Sequence, residues 1–234
     1  RLDQLQREVF GPVLHVLRYR RAELDGLIDQ INATGYGLTG GVHTRIDETI
    51  ARVAARVNVG NLYVNRNLVG AVVGVQPFGG EGLSGTGPKA GGPLYLLRLL
   101  ARQPGEAARR AVQALGVPDP EAQSATGAAA PPALLALKAW AQAQGDARLV
   151  DCCDAFLARS PAGAVRLLTG PTGERNLYQV LPRRRVLCLV SDAVDRWTQL
   201  AAVLAVGADA LWPVEAQADW ARLPVTVLAH IAMA

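Results

Sequence analysis

Val13-Leu14-His15-Val16-Leu17-Arg18-Tyr19 is a nearly continuous apolar run, the pattern of a strand covered on both faces. Leu24, Leu27, Ile28 and Ile31 follow at i, i+3, i+4 and i+7, one face of an amphipathic helix. Gly35 and Gly37 are expected to end it, because glycine accepts the positive φ common just past a helix C-terminus. A short strand is predicted over 38–44, then a second helix with Ile46, Ile50, Val53 and Val57 inward, then a strand over 61–65 after Gly60. Strand alternating with helix is the signature of crossovers in a parallel sheet, so the first hundred residues read as α/β.

The pattern lapses over 103–132, where Pro, Gly, Ala and Ser dominate and Val117-Pro118-Asp119-Pro120 breaks any period. Such composition predicts a linker. Beyond it, Ala-rich helices are predicted at 133–144 and 147–159, and strands at 163–168, 176–181 and 185–190. A helix at 193–206 and strands at 208–212 and 224–229 complete a second α/β pattern. The expected organisation is therefore a unit over 1–102, a linker over 103–132 and a second unit over 133–234.

Half of the 234 residues are hydrophobic and 19% are charged, enough apolar material for a real core without metal or disulfide staples. The net charge of +4 is modest and its arginine clusters are scattered, so the dense basic stripe of a nucleic-acid surface is missing. No apolar run approaches the ~20 residues of a membrane span. Three cysteines, two of them adjacent, make neither a disulfide framework nor a metal-ligand pattern, which points to a reducing cytoplasm. Cys152 and Cys153 fall inside a predicted amphipathic helix, and Cys188 in a strand between Leu187 and Leu189. Those are positions where cysteine acts as a small hydrophobe. His15, His43 and His230 have no neighbouring ligand at metal spacing, so no metal is expected. The chain opens without an initiator Met or a signal-peptide pattern, and is read as starting inside a longer protein.

Two segments carry candidate chemistry. The first is Glu8-Val9-Phe10-Gly11-Pro12-Val13. The second runs from Gly60 to Pro93 through Val69-Gly70-Ala71-Val72-Val73-Gly74-Val75-Gln76-Pro77-Phe78-Gly79-Gly80 and Gly82-Leu83-Ser84-Gly85-Thr86-Gly87-Pro88-Lys89-Ala90-Gly91-Gly92. Within it, Gly80-Glu81-Gly82-Leu83-Ser84-Gly85 fits G-x-G-x-x-G. That fragment does not open a helix directly after a core strand, and it fails the context a dinucleotide fingerprint needs.

The first segment resembles the aldehyde dehydrogenase signature. The second resembles the substrate loop of 1-pyrroline-5-carboxylate dehydrogenases, in detail the proline utilisation A branch. The resemblance implies a fold: the C-terminal half of an aldehyde dehydrogenase catalytic domain, a parallel sheet with flanking helices. It also implies roles. Glu8 would accept hydrogen bonds from the ribose hydroxyls beside the nicotinamide of NAD, and Phe10 would pack on the nicotinamide ring, as a carboxylate and an aromatic face suit those groups. Gly70 and Ala71 would grip the α-carboxylate of L-glutamate γ-semialdehyde through backbone N–H groups, which small residues leave accessible. Phe78 would lie along the aliphatic stem.

The stretch from Glu174 to Leu189 resembles the opening hairpin and first strand of the cofactor-binding half of the same family, with Leu200 to Gly207 as the following helix. Long proline utilisation A proteins carry such an extra C-terminal aldehyde-dehydrogenase-like domain. Here Ser191-Asp192-Ala193 replaces an Asn-bearing aromatic motif, and Trp212 stands where a lysine would hold the adenosine ribose. An indole cannot supply that ammonium contact. Residues 133–234 are thus read as a degenerate, non-catalytic Rossmann-type α/β unit with a structural role.

The implied activity is oxidation of the semialdehyde to glutamate with NAD, in the cytoplasm or with the parent peripheral at the inner membrane. The nucleophilic cysteine and general-base glutamate are expected upstream, in the remainder of the polypeptide, and FAD only in a proline dehydrogenase domain of that parent. A homo-oligomer is expected. No catalytic residue is assigned within the chain, and the fragment alone is expected to be inactive. The alternative is a non-catalytic structural or regulatory interaction module derived from an aldehyde dehydrogenase.

Overall fold

The helical spacing of Leu24, Leu27, Ile28 and Ile31 becomes α1, Leu24–Ala33, in a computed structural model that describes residues 2–5, 7, 9–102, 105–120 and 130–234. Ile28 is its buried residue. Gly35 takes φ +77 just beyond the helix, the left-handed turn that favours glycine. Gly37 does not share that task. It lies in β1, Tyr36–Gly37, which pairs antiparallel with β4, Glu81–Gly82.

β2, Thr39–Val42, and β3, Asn61–Val64, pair in parallel with Thr39 opposite Asn61 and Val42 opposite Val64. The crossover between them is α2, Asp47–Arg56, which buries Val53. Asn32 near the end of α1 ties down the end of α2. Its Nδ2 donates to the Arg56 carbonyl at 2.7 Å and its Oδ1 accepts from the Asn58 amide at 2.8 Å. Along the exposed sides of the two helices, Arg52 meets Asp25 through two nitrogens, and Arg56 bridges Asp25 and Asp29 at 2.8 Å each. The Arg52 guanidinium holds the Asp25 carboxyl below its ordinary range.

The strand expected over 13–19 does not form. Residues 13–20 are irregular, with Leu14 86% and Val16 77% exposed. An apolar run states what a segment would bury, but a strand exists only through the ladder of a neighbour. None of the described strands runs beside this one. The parallel sheet of this unit is accordingly the β2–β3 pair.

The chain divides into two compact units, Arg1–Arg98 and Leu99–Ala234. The second includes part of the stretch expected to be a linker: α3, Ala107–Gln113, and β5, Val117–Pro118. Val112 is 1% exposed, and Arg166 donates to the Val112 and Gln113 carbonyls at 3.1 and 2.9 Å. Alanine and arginine are strong helix formers, but the prolines and glycines around them read as loop and hid this helix. Pro118 is tolerated because β5 is an edge strand, where the missing N–H costs no ladder bond. Residues 121–129 lie outside the described residues.

The rest of the second unit follows its periodicity closely. α4, Pro132–Ala143, and α5, Ala147–Arg159, are joined by Gly145 at φ +74, and Asp146 accepts from the Leu149 amide to cap α5. β6, Val165–Leu168, and β7, Asn176–Gln179, form an antiparallel sheet with β5. β8, Arg185–Leu187, and β9, Asp209–Trp212, form a parallel sheet with β10, Ile231–Met233, in the order β10-β9-β8. α6, Ala193–Ala205, is capped by Asp192, whose carboxylate accepts from the Val194 and Asp195 amides. Leu134 and Leu137 of α4, Leu149 and Cys153 of α5, Leu200 and Leu204 of α6, and Trp212 of β9 meet in one core.

One strand is misplaced by the sequence reading. Residues 224–229 contain a helical turn, α8, Val225–Leu228, after an equally short α7, Gln217–Trp220, and the strand comes later as β10. Leu223, Val227 and Ile231 are the buried residues here, four apart. That spacing suits a turn of helix leading into a strand, while Val225 is left 81% exposed.

Candidate functional site

The segment after β3 is a loop fastened at several points. Val75 and Gln76 both donate backbone N–H to the Val72 carbonyl at 3.0 Å, and the Val72 amide donates to the Gln76 side chain at 2.8 Å. This closes a turn over 72–76. Phe78 and Ala90 exchange both backbone hydrogen bonds, at 3.0 and 2.8 Å. Asn61, the first residue of β3, donates from Nδ2 to the Pro77 carbonyl at 2.9 Å and accepts from the Gly79 amide at 3.3 Å. Lys89 reaches the same point. Its ammonium donates to the Gly60 carbonyl, to Asn61 Oδ1 at 3.1 Å and to the Gly79 carbonyl at 3.4 Å. Burial pulls the Lys89 pKa down, and Glu81 partly opposes that.

Gly70 and Ala71 precede the turn. Gly70 adopts φ +129, and a Cβ added there would meet open space. Among the described residues neither the Gly70 nor the Ala71 amide has a hydrogen-bond acceptor. Val69 and Val73 flank them, 92% and 97% exposed. Two adjacent unpaired N–H groups with an apolar rim can receive an anionic group. Phe78 is half-buried, with its backbone held on both sides.

The two residues expected at the cofactor are placed differently. Glu8 lies outside the described residues. Phe10 stands before the Gly11 turn and is 85% exposed, leaving an aromatic side chain open to cover by a flat heterocycle. The segment that fits G-x-G-x-x-G forms β4 and a turn closed by Ser84 N–H on the Glu81 carbonyl. No helix follows it directly, in keeping with the sequence reading.

The cysteines all belong to the second unit. Cys153 is 1% exposed, and burial pushes its thiol up to about 11, with Asp154 adding to the rise. Burial also raises Cys188, which is 1% exposed. Cys152 is half-buried beside Cys153 on α5. A thiol titrating that high is almost wholly protonated at neutral pH and a poor nucleophile. His230 Nδ1 pairs with Asp209 at 2.8 Å. Among the described residues no three His, Cys, Asp or Glu side chains come together as a metal site. No helix among them is long and apolar enough to cross a membrane.

Asn61 and Lys89 are the functional candidates that sequence reasoning missed. Three of the acceptors they engage are backbone carbonyls, which leave no mark on the sequence. The available signal was a lone lysine inside a glycine-rich stretch.

Residues 2–103 match the aldehyde dehydrogenase family. Over 99% of its length the chain is 59% identical to the bifunctional protein PutA of Salmonella typhimurium, of which it spans 17%. It thus resembles the C-terminal part of bifunctional PutA. A 93-residue stretch, 40% of the chain, is 47% identical to a 1-pyrroline-5-carboxylate dehydrogenase of Bacillus subtilis and spans 18% of it. The solved structure of PutA from Corynebacterium freiburgense aligns over 90% of the chain and 22% of its own, with a TM-score of 0.55 at 22% identity. That is a likeness of fold.

Proposed function

We propose that this chain is the substrate-gripping part of an NAD-dependent L-glutamate-γ-semialdehyde (1-pyrroline-5-carboxylate) dehydrogenase acting in proline catabolism. The observation that carries the reading is the pair of unpaired amides at Gly70 and Ala71, a few residues from the fastened Phe78, in a chain 47% identical over 93 residues to such a dehydrogenase. The α-carboxylate of the substrate accepts from the two amides, and the aliphatic stem lies on Phe78. This end-on grip directs the aldehyde toward a nucleophile supplied from elsewhere in the polypeptide, and orientation of that kind is worth much of a catalytic barrier. Phe10 and Glu8 would hold the nicotinamide side of NAD, which accepts a hydride from the substrate carbon when bound.

Residues 133–234 are, in this reading, a degenerate aldehyde-dehydrogenase-like unit without its own catalysis, bracing the dehydrogenase or its oligomer contacts. Several features support it. Asp192 is spent on capping α6, Trp212 is fully buried, and both buried cysteines have raised thiols.

The decisive measurement is NADH formation from semialdehyde. The full-length polypeptide is expected to turn over and residues 1–234 alone are not. NADH from the fragment refutes the assignment of the nucleophile upstream. Loss of the cysteine upstream favours the rival, a purely structural or regulatory module. For the grip itself, Gly70→Val or Ala71→Pro in the full-length polypeptide is expected to raise the KM for semialdehyde about tenfold or more. The KM for NAD should stay within about twofold, because uniform binding to one ligand is what is lost. Equal rises in both constants count against the two amides as the anchor.

A further inference from the structure

Asn61 spends nearly the whole valence of its amide on one loop. Nδ2 donates to Pro77, and Oδ1 accepts from both Gly79 N–H and Lys89 Nζ. A flipped amide would set oxygen against the Pro77 carbonyl, so the orientation is fixed. Asn61 itself is seated in the ladder opposite Thr39, and its N–H donates to the Leu38 carbonyl at 3.2 Å. Lys89 binds the other side of the same segment, holding the Gly60 and Gly79 carbonyls together. Ala90, next in the chain, carries the two backbone bonds to Phe78. Every backbone attachment of residues 77–79 therefore leads either to β3 or to the Lys89–Ala90 strand of the loop. A surface-crossing loop has no use for a half-buried lysine with three oxygen acceptors, since an ammonium is costly to desolvate and does as well in water.

Resting on the proposed function, we infer that Asn61 and Lys89 are positioning residues for Phe78, a clamp that fixes its ring relative to the Gly70–Ala71 amides. The clamp thereby sets the enzyme's preference for an aldehyde with a charged amino-acid end over a short plain one. Neither side chain touches substrate in this scheme. Both act through the backbone on each side of Phe78. Rigid supports of this kind decide how well a binding residue discriminates.

The test uses the full-length polypeptide with Asn61→Leu and Lys89→Met, which keep volume and stem while removing the polar atoms. The ratio of kcat/KM for semialdehyde to kcat/KM for propanal is expected to fall about tenfold or more in each variant, with the KM for NAD held within about twofold. Hydrogen exchange at the Phe78 and Ala90 amides should quicken about tenfold, while the backbone amides at positions 61 and 65, bonded to Leu38 and Val42, keep their protection in both variants. General damage lowers both aldehydes alike and loosens the β2–β3 pair as well; that result overturns the inference. Faster exchange at 78 and 90 with an unchanged ratio also overturns it, and so does unchanged exchange. Failure of the proposed function is visible separately, before any substitution, as a full-length polypeptide that makes no NADH from semialdehyde. The substrate role of the clamp falls with that outcome.

Discussion

Gly60→Ala is expected to lower kcat/KM for semialdehyde by about a hundredfold in the full-length polypeptide, the scale of loss from a misplacement near 1 Å. A Cβ at position 60 would overlap the Gly79 carbonyl oxygen, with the Gly79 carbon at 2.6 Å and Gly80 Cα at 2.8 Å. All three are backbone atoms, so no rotamer change relieves the clash. The Gly60 carbonyl also accepts from Lys89, and the loop strand carrying Phe78 is the part that must retreat. Overpacking of this kind costs about 1–3 kcal/mol in stability, and the kinetic loss should exceed what that destabilisation explains at 25 °C. Gly26→Ala is the control. Gly26 lies within α1, and a Cβ there meets nothing within 4 Å, so it should be neutral or stabilising by up to about 1 kcal/mol. Steady-state kinetics and thermal melts of the two variants separate the cases. A Gly60→Ala enzyme with ordinary semialdehyde kinetics would remove the close approach of β3 and the Phe78 segment from the site.

Legibility in the sequence followed the range of the forces involved. α1, α2, α4, α5 and α6 were readable because a helix satisfies its backbone locally and its buried face repeats within one or two turns. β2 and β3 were readable from the pattern alone because α2 connects them directly in sequence. The run at 13–19 was not, because its apolar content was clear while the strand needs a partner that the sequence cannot point to. At 224–229 the alternation of Val225, Thr226 and Val227 imitates a strand. The core there is served by Leu223, Val227 and Ile231, a spacing visible only once those residues are known to share a face. α3 was hidden by the prolines and glycines around it, although Val112 and Arg166 seal it.

The candidate site divides in the same way. Gly70, Ala71 and Phe78 became candidates because a long contiguous string carried the resemblance. Gly70 takes a backbone conformation, φ +129, that side-chain-bearing residues rarely adopt. Asn61 and Lys89 act on backbone carbonyls between 10 and 29 residues away in the chain. Carbonyls belong to every residue type, so no string of letters distinguishes the ones that are used. The buried positions of Cys153 and Cys188 were predictable from their helix and strand neighbours, and the upward shift of their thiols follows from that burial.

Trp212→Ala should cost the second unit about 3–5 kcal/mol, the usual range for truncating a large buried aromatic. Trp212 is the largest fully buried side chain of the chain. Its ring lies 5.8 Å from Trp197, which in turn lies 5.3 Å from Trp140, so truncation opens a cavity beside Trp197 at one end of a chain of three indoles. The Arg196 guanidinium sits 5.8 Å from the Trp212 ring while also bonding Asp219 and the Ser191 carbonyl. Losing the indole removes part of the lining of a buried ion pair. Water entering that space would weaken the attraction while hydrating the charges, so the cavity cost dominates the balance. Most domains have only about 5–15 kcal/mol in hand, and a loss of this size should leave the unit partly unfolded near physiological temperature. The reporting amides are Ala210, Cys188 and Ala234, which bond His230, Leu211 and Trp212 across the β8–β9–β10 sheet. Their exchange should rise by a factor of hundreds or more, at about tenfold for each 1.4 kcal/mol, if they open with the whole unit. Trp212→Phe, which retains an aromatic ring, should lose less than half as much. Should the alanine variant exchange within threefold of the parent chain, the indole stack would not be the keystone of this core.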